Sequence, residues 1–353
     1  MRRGLMAWNE SELPREALSA RLEGLRSAMV REGIDGFVCY TNLVQPSAVT
    51  YLTGFTPYWS DALLLTLRSG APVFATALSR RVANWIASTN PLSEIVNTPK
   101  PGAAIGARLA TVGARRVAVL ELDRLPGGLN DEIAAAAPDV TLVDGSAIFA
   151  TLRRHIDDAE CDLIVRADAI ARDALGQIDP ARAADGGVAA GLVEKRARLQ
   201  GAEEAYIAVA ANLVADRRMV RVSGALPLAD WFAVRASVAY KGSWVRRTRT
   251  FAKDAAASLA RADEWFETFI GSVAAGEPIG GQLTARVAAL PGATLTGWIA
   301  ESAIGSYPLE TVASARAADR YAIPAGGFAV LTVELSIGGT PWLGAGPVIV
   351  GEA

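Results

Sequence analysis

One segment restricts what this chain can fold into more than any other: "WFAVRASVAY" followed by "KGSWVRRTRTF", residues 231–251. Both halves alternate apolar with small or polar residues, and the glycine between them marks a turn, so the segment reads as a β-hairpin. Arg235 lies on the first strand, and Arg246, Arg247 and Arg249 crowd into four positions of the second. A ribbon facing solvent carries such charge at little cost. An interior hairpin does not, unless anionic groups sit opposite. Arg247 is out of phase with Arg246 and is expected to face the other way.

The rest of the chain fits a folded protein of two domains. It has 353 residues, enough for two cores. Hydrophobic residues make up 51% and charged residues 20%, which excludes a disordered chain. The net charge of -2 gives no overall attraction to nucleic acid or acidic membranes, so any basic patch is local. The arginines between 217 and 249 alternate with apolar residues inside expected strands, and no nucleic-acid partner is expected. No apolar run approaches the ~20 residues of a membrane span, and no membrane partner is expected. The stretch "MRRGLMAWNESELPREAL" lacks an apolar signal core, and Cys39 and Cys161 make no disulfide framework; both point to a cytoplasmic location. The single histidine, His155, excludes any mechanism that needs two, and the serines of "GSAIF" and "VSGAL" have no other histidine for a triad. Nucleotide-binding glycine motifs, CxxC and HExxH are absent.

Periodicity divides the chain. Leu18, Leu22, Leu25 and Met29 mark a helix that Gly33 stops, and "IDGFVCYT" follows as a buried strand. "DALLLTLRSGAPVFATAL" reads as strand, turn, strand; "SRRVANWIAS" is helical with Ser79 as N-cap. "RRVAVLEL" and "DVTLVD" are strands around a helical "GGLNDEIAAAA". This alternation predicts an α/β domain over residues 1–146. Residues 147–178 carry one apolar face through Ile156, Ala159, Leu163, Ala167 and Ile170 and are expected to form a single linker helix into a second domain, 147–353. Residues 179–204 are expected to be helical with turns. Beyond them, strand-like runs surround one clear helix, "ARADEWFETFIGSVAAG".

Several of these segments resemble one family in the same order. "RLEGLRSAMVREGIDGFVCYT" and "VTYLTGF" are similar to the opening of the creatinase/prolidase N-terminal domain, "LRRHIDDAECDLIVRADAIARDAL" to its linker helix, "TRTF" (248–251) to the end of its first metal-binding hairpin, and "GGFAVLTVEL" to the strand of its first metal-binding glutamate. The group is that of aminopeptidase P, prolidase, methionine aminopeptidase and the metal-free creatinase. The resemblance implies an α/β N-terminal creatinase-type domain plus an α+β pita-bread C-terminal domain with a curved antiparallel sheet, and a homodimer. It also implies two divalent ions held by two aspartates, a histidine and two glutamates, with a bridging water as nucleophile. Laid on this chain, the aspartates fall on Arg235 and Arg246, eleven residues apart. The ligand histidine falls on Trp298, a catalytic histidine on Gly305, a third histidine near Arg217 or Arg218, and the second glutamate on Ala345. Glu334 alone survives. Like charges about 4 Å apart repel by roughly 4 kcal/mol at an effective dielectric near 20, so two guanidiniums reverse the electrostatics of such a centre. No metal and no other cofactor is expected.

Three readings of the arginines follow. In the first, Arg235 or Arg246 pairs with Glu334 and Trp298 fills the histidine space, leaving a repacked, inert site. In the second, Arg235, Arg246 and Arg218 (or Arg217) converge on a small anionic molecule or short peptide, with Trp298 and Trp244 as stacking walls. In the third, Glu334 or Glu301 serves as the catalytic base of a metal-independent C–N hydrolase, creatinase-like or Xaa-Pro peptidase-like. Across all three, the expected protein is metal-free and inactive as a metallopeptidase. His155 and Arg249 are expected to be structural.

Overall fold

Four- to six-residue apolar strands separated by helices build the first part of the chain, each strand too short to bury its side chains without a layer on either face. The computed structural model describes residues 8–56, 60–254, 257–302, 310–314 and 320–351. Two compact units emerge, one ending at Arg153 and the other beginning at Arg154. The first comprises α1 (Arg15–Arg31), β1 (Gly36–Thr41), α2 (Ser47–Thr53), β2 (Ala62–Leu67), β3 (Val73–Thr76), α3 (Ala83–Thr89), β4 (Glu94–Asn97), α4 (Pro101–Thr111), β5 (Arg116–Val119), α5 (Gly127–Ala136), β6 (Thr141–Asp144) and α6 (Ser146–Leu152). The strands form a mixed sheet in the order β4-β3-β2-β1-β5-β6. Alternation on β1 splits the core in two. Phe37 and Cys39 pack with Leu25, Met29 and Leu52 of α1 and α2, while Val38 packs with Ile105 and Leu109 of α4 and Ile133 of α5. Ser79 accepts the Arg81 N–H, capping the short turn before α3 as expected.

The expected single helix over 147–178 is two. α6 ends at Leu152, and α7 (Asp158–Leu175) starts afresh where the Asp157 side chain accepts the Glu160 N–H. Asp157 supplies the capping oxygen that a helix interior has no use for, so the chain restarts there. The contact division between units falls in this break, at Arg153/Arg154 rather than after residue 146. His155 sits in the same turn, with Nδ1 2.9 Å from the Ala325 carbonyl oxygen.

The second unit continues with α8 (Gly186–Leu199), β7 (Glu204–Ala210), β8 (Val220–Arg221), β9 (Trp231–Tyr240), β10 (Ser243–Ala252), α9 (Ala257–Ile270), α10 (Ile279–Val287), β11 (Ala293–Ser302), β12 (Glu310–Ala313), β13 (Phe328–Ile337) and β14 (Thr340–Ile349). Its strands form one curved antiparallel sheet, β12-β11-β13-β14-β10-β9-β7-β8. The helix α10 lies in a stretch expected to be strand-like. Ile279, Leu283 and Val287 are buried one helical turn apart, which draws it onto the core.

The hairpin β9–β10 is the centre of this sheet. Lys241 (φ 48°) and Gly242 (φ 83°) form its two-residue turn, both left-handed as a type I′ turn requires. The buried Glu203 carboxylate accepts the N–H groups of Lys241 (2.8 Å) and Gly242 (2.5 Å) and fixes the turn; burial pushes its pKa up despite these bonds. One face of the hairpin packs on helices: Phe232, Val234, Ala236, Val238 and Phe251 meet residues of α7 and α8, such as Ile170 and Val193. Arg247 shares that face. Its Nε and Nη2 hold both oxygens of Asp168 on α7, at 2.5 and 2.9 Å, and its Nη1 holds Glu267 on α9 at 2.5 Å. Arg172 joins both carboxylates, at 2.7 and 2.6 Å. The guanidinium lies against Gly346, where a Cβ would come within 2.7 Å of Nη1. Arg249, more exposed, pairs with Asp263 at 3.3 Å.

Truncating Arg247 leaves the buried Asp168 and the half-exposed Glu267 facing each other with only Arg172 between them. Arg247→Ala is expected to cost about 3 kcal/mol or more, read as a lowered thermal midpoint of this unit, and Gly346→Ala to cost stability through the same guanidinium. An unchanged midpoint in Arg247→Ala would show that the cluster does not hold α7 and α9 to the sheet.

Candidate functional site

The sheet face turned away from α7–α10 carries the candidate site. Register places Arg235 opposite Thr248, Arg246 opposite Ser237, and Thr248 opposite Ala345. Directly paired residues share a face, so Arg235, Ser237, Arg246, Thr248 and Ala345 all point the same way. On the next strands, Thr332 pairs with Ala345, Glu334 with Leu343 and Gly297, and Glu301 with Val330, which adds Glu334 and Glu301 to that face. Strand parity thus gathers Arg235, Arg246, Glu301 and Glu334.

Their pairing differs from the expected exchange around Glu334. Arg246 donates through Nη1 to Glu301 Oε2 and through Nε to Ser237 Oγ at 3.3 Å. β10 and β11 are separated by β14 and β13, so this ion pair bridges three strand spacings, roughly 14 Å at 4.8 Å per step in a flat sheet. Curvature of the sheet brings the two strands' side chains together. Glu334 is engaged instead by Arg217, which reaches in from the β7–β8 connection; Nη1 lies 3.5 Å from Glu334 Oε2 and 3.2 Å from Thr296 Oγ1. Thr296 sits in a β-bulge between Leu295 and Gly297. The two pairs differ in environment: side-chain exposure is 22% and 10% for Arg246 and Glu301, against 42% and 35% for Arg217 and Glu334.

Arg235 has no ion-pair partner among the described residues. Its Nε donates to Thr248 Oγ1 at 3.4 Å, a weak bond. Burial, then the Arg246 charge beside it, pulls its pKa down to about 10, and the Glu301 and Glu334 carboxylates oppose that only in part. At neutral pH the group is charged in both folded and unfolded chains, so its desolvation cost is fully present. That cost is relieved only as pH climbs above about 10, where the folded chain sheds this proton before the unfolded one does.

Two expected site residues are placed otherwise. Arg218 does not join the cluster: it forks onto Asp216 at 2.7–3.0 Å with its side chain 85% exposed, and holds the Asp216 pKa down. Arg217, its neighbour, takes the place facing Glu334. Trp298 is on the opposite face. It pairs with Val333, out of phase with Glu334, and its buried ring packs in the helix-side core over Gly280 of α10. Trp298 and Glu301 are three residues apart on one strand, so they cannot share a face. Gly305 lies outside the described residues. Trp244 is on the site face, buried, its ring stacked on Tyr206 with centroids 5.5 Å apart.

The residues present do not fit a pair of divalent ions. Such a centre needs converging carboxylates and imidazole, whereas here two carboxylates are each engaged by a guanidinium and a third guanidinium stands between. Among the described residues, no three His, Cys, Asp or Glu side chains come together as a metal-binding group.

The class defined by this fold is a two-domain protein with an α/β first domain and a pita-bread second domain. The first domain is a creatinase/prolidase N-terminal domain: residues 21–155 match the family described as "Creatinase/Prolidase N-terminal domain", and the chain as a whole has the fold of the creatinase/aminopeptidase P family. The X-Pro aminopeptidase of Thermotoga maritima MSB8 superposes with a TM-score of 0.71 at 15% identity, over 92% of this chain and 95% of that one. The Xaa-Pro dipeptidase of Bacillus anthracis gives 0.68 at 18%, over 95% of each. The N-terminal domain of FACT complex subunit SPT16 from Cicer arietinum (chickpea) gives 0.60 at 14%, over 96% and 94%. No curated protein matches the sequence.

The two site arginines are expected to respond to truncation with opposite signs. Arg235→Met removes an uncompensated charge and should stabilise the unit by about 1 kcal/mol. Arg246→Met strands the buried Glu301 and should destabilise it by about 3 kcal/mol. Thermal melts at pH 7 read both, and destabilisation by Arg235→Met would mean that the guanidinium has a partner.

Proposed function

We propose that this protein is a metal-free member of its fold, inactive as a metallopeptidase, that binds a small anionic molecule or a short peptide through Arg235. The carrying observation is the charge gathered around Arg235: three guanidiniums, Arg217, Arg235 and Arg246, against two carboxylates, Glu301 and Glu334, each already engaged, while Arg221 and Glu204 add one charge of each sign to the same face. A half-buried guanidinium without a counter-ion is costly, and an anion supplied from solution removes that cost. Similar folds belong to proteins named as an aminopeptidase, a dipeptidase and a FACT complex subunit, so fold alone assigns no activity.

The hydrolase alternative has less support. A general base must be free to accept a proton, and both Glu301 and Glu334 spend an oxygen on an arginine. A nucleic-acid ligand also has little support. Arg218, Arg246, Arg247 and Arg249 pair with Asp216, Glu301, Asp168 and Asp263, which leaves no continuous stripe to follow phosphates. No helix among the described residues is long and apolar enough to cross a membrane. The homodimer and the cytoplasmic location implied earlier belong to the same proposal.

The test is ligand-dependent stabilisation. Short peptides and simple carboxylates at about 100 times their Kd should stabilise the wild type by roughly 2.7 kcal/mol, and Arg235→Ala should abolish the shift. Elemental analysis of protein purified without chelator should find no stoichiometric Mn, Co, Zn or Fe. Two bound ions per chain, or no anion giving an Arg235-dependent shift, would overturn the proposal.

A further inference from the structure

We infer that the Arg235 site selects a ligand carrying a single carboxylate charge, and that Glu301 and Glu334 exclude dianions. This rests on the reading of Arg235 as a ligand anchor. Arg235 lies in the transverse row of the sheet formed with Thr248, Ala345 and Thr332. The neighbouring row on one side holds Arg246 and Glu301, opposite Ser237 and Val330; the neighbouring row on the other side holds Glu334, opposite Leu343 and Gly297. The rows on either side of the anchor's row therefore each hold one carboxylate, Glu301 on β11 and Glu334 on β13.

Arg217, Arg235 and Arg246 with Glu301 and Glu334 carry one net positive charge when all are ionised, and the two further charged residues that register puts on this face, Arg221 in the row of Arg235 and Glu204 opposite Ala239, cancel each other. One bound negative charge brings the face to neutrality. A second leaves it negative, in the field of Glu301 and Glu334, both of which act on the Arg235 charge. The fork geometry points to carboxylate. Thr248 occupies Nε, while the terminal Nη donors have no partner among the described residues, and two parallel N–H groups match a planar carboxylate edge. Access is from the Glu334 side, since the Arg217–Glu334 pair is the exposed one and, at 3.5 Å, the looser one.

Succinate and its monoamide, succinamate, are close in size and each presents a carboxylate; they differ by one charge at neutral pH. Isothermal titration of both into the full chain at pH 7.5 separates the cases. Succinamate should bind at least about tenfold more tightly than succinate, equivalent to roughly 1.4 kcal/mol. Glu334→Gln raises the face to +2 and should cancel or reverse that preference, while Arg235→Ala should lose both ligands. Circular dichroism melts verify that each variant is folded, and Glu334, at the open side, tolerates the isosteric amide. Succinate binding as tightly as succinamate, or a preference unaltered in Glu334→Gln and Glu301→Gln, would overturn the inference. If neither compound binds but another anion or a short peptide gives Arg235-dependent heat, the monocarboxylate assignment falls and the anchor stands. If no anion does so, both fall.

Discussion

Two adjacent guanidiniums on one strand cannot share a counter-charge, because the pleat sends them to opposite faces of the sheet. Arg246 and Arg247 impose that condition on the whole second unit. Arg247 is satisfied by Asp168 and Glu267, which commits α7 and α9 to the same side of β10. Arg246 is satisfied by Glu301 from β11, a contact that only a curled sheet brings within reach. Helix placement and sheet curvature are thus tied to the same dipeptide. The glycine at 346 belongs to this arrangement, since any side chain there would push the Arg247 guanidinium off its two carboxylates.

Much of this was legible in the sequence wherever local periodicity was decisive. The hairpin, its turn and the opposed phases of Arg246 and Arg247 follow from period-two alternation alone. The first domain's strands and helices follow from short apolar runs and caps such as Ser79. What failed to be legible depended on counting across elements. Trp298 was assigned to the site through a family position, although its odd separation from Glu301 sends the two to opposite faces. The Arg217/Arg218 alternative was open in sequence because a loop has no period to choose between neighbours; Asp216, two residues before Arg218, captures that side chain locally. The helix break before Asp158 had a readable signal in Asp157 followed by Glu160, and α10 had one in Ile279, Leu283 and Val287.

The helix-facing and site-facing sides of the sheet answer to different demands. On the helix face, Trp298, Leu331, Val333 and Leu335 on one half and Phe232, Val234 and Phe251 on the other supply the buried apolar area that holds the unit together. The site face contributes little of that core, so its charges can vary while the fold shared with the aminopeptidase and dipeptidase structures persists. This separation fits a fold that superposes on solved structures at 13–18% identity with TM-scores near 0.7 while its own donor set does not suit paired divalent ions.

The choice of arginine at 235 has its own logic. Burial and the neighbouring Arg246 charge lower its pKa to about 10, which still leaves it protonated at neutral pH. A lysine starts about two units lower, near 10.4, and the same environment would carry it toward the physiological range, where it can shed its proton and its charge. Guanidinium is the side chain that stays cationic in this position without a carboxylate of its own. A site that had only been repacked for stability would gain from neutrality at 235. A permanent cation there, between two pairs that are already balanced, makes physical sense when the missing negative charge arrives from outside the chain.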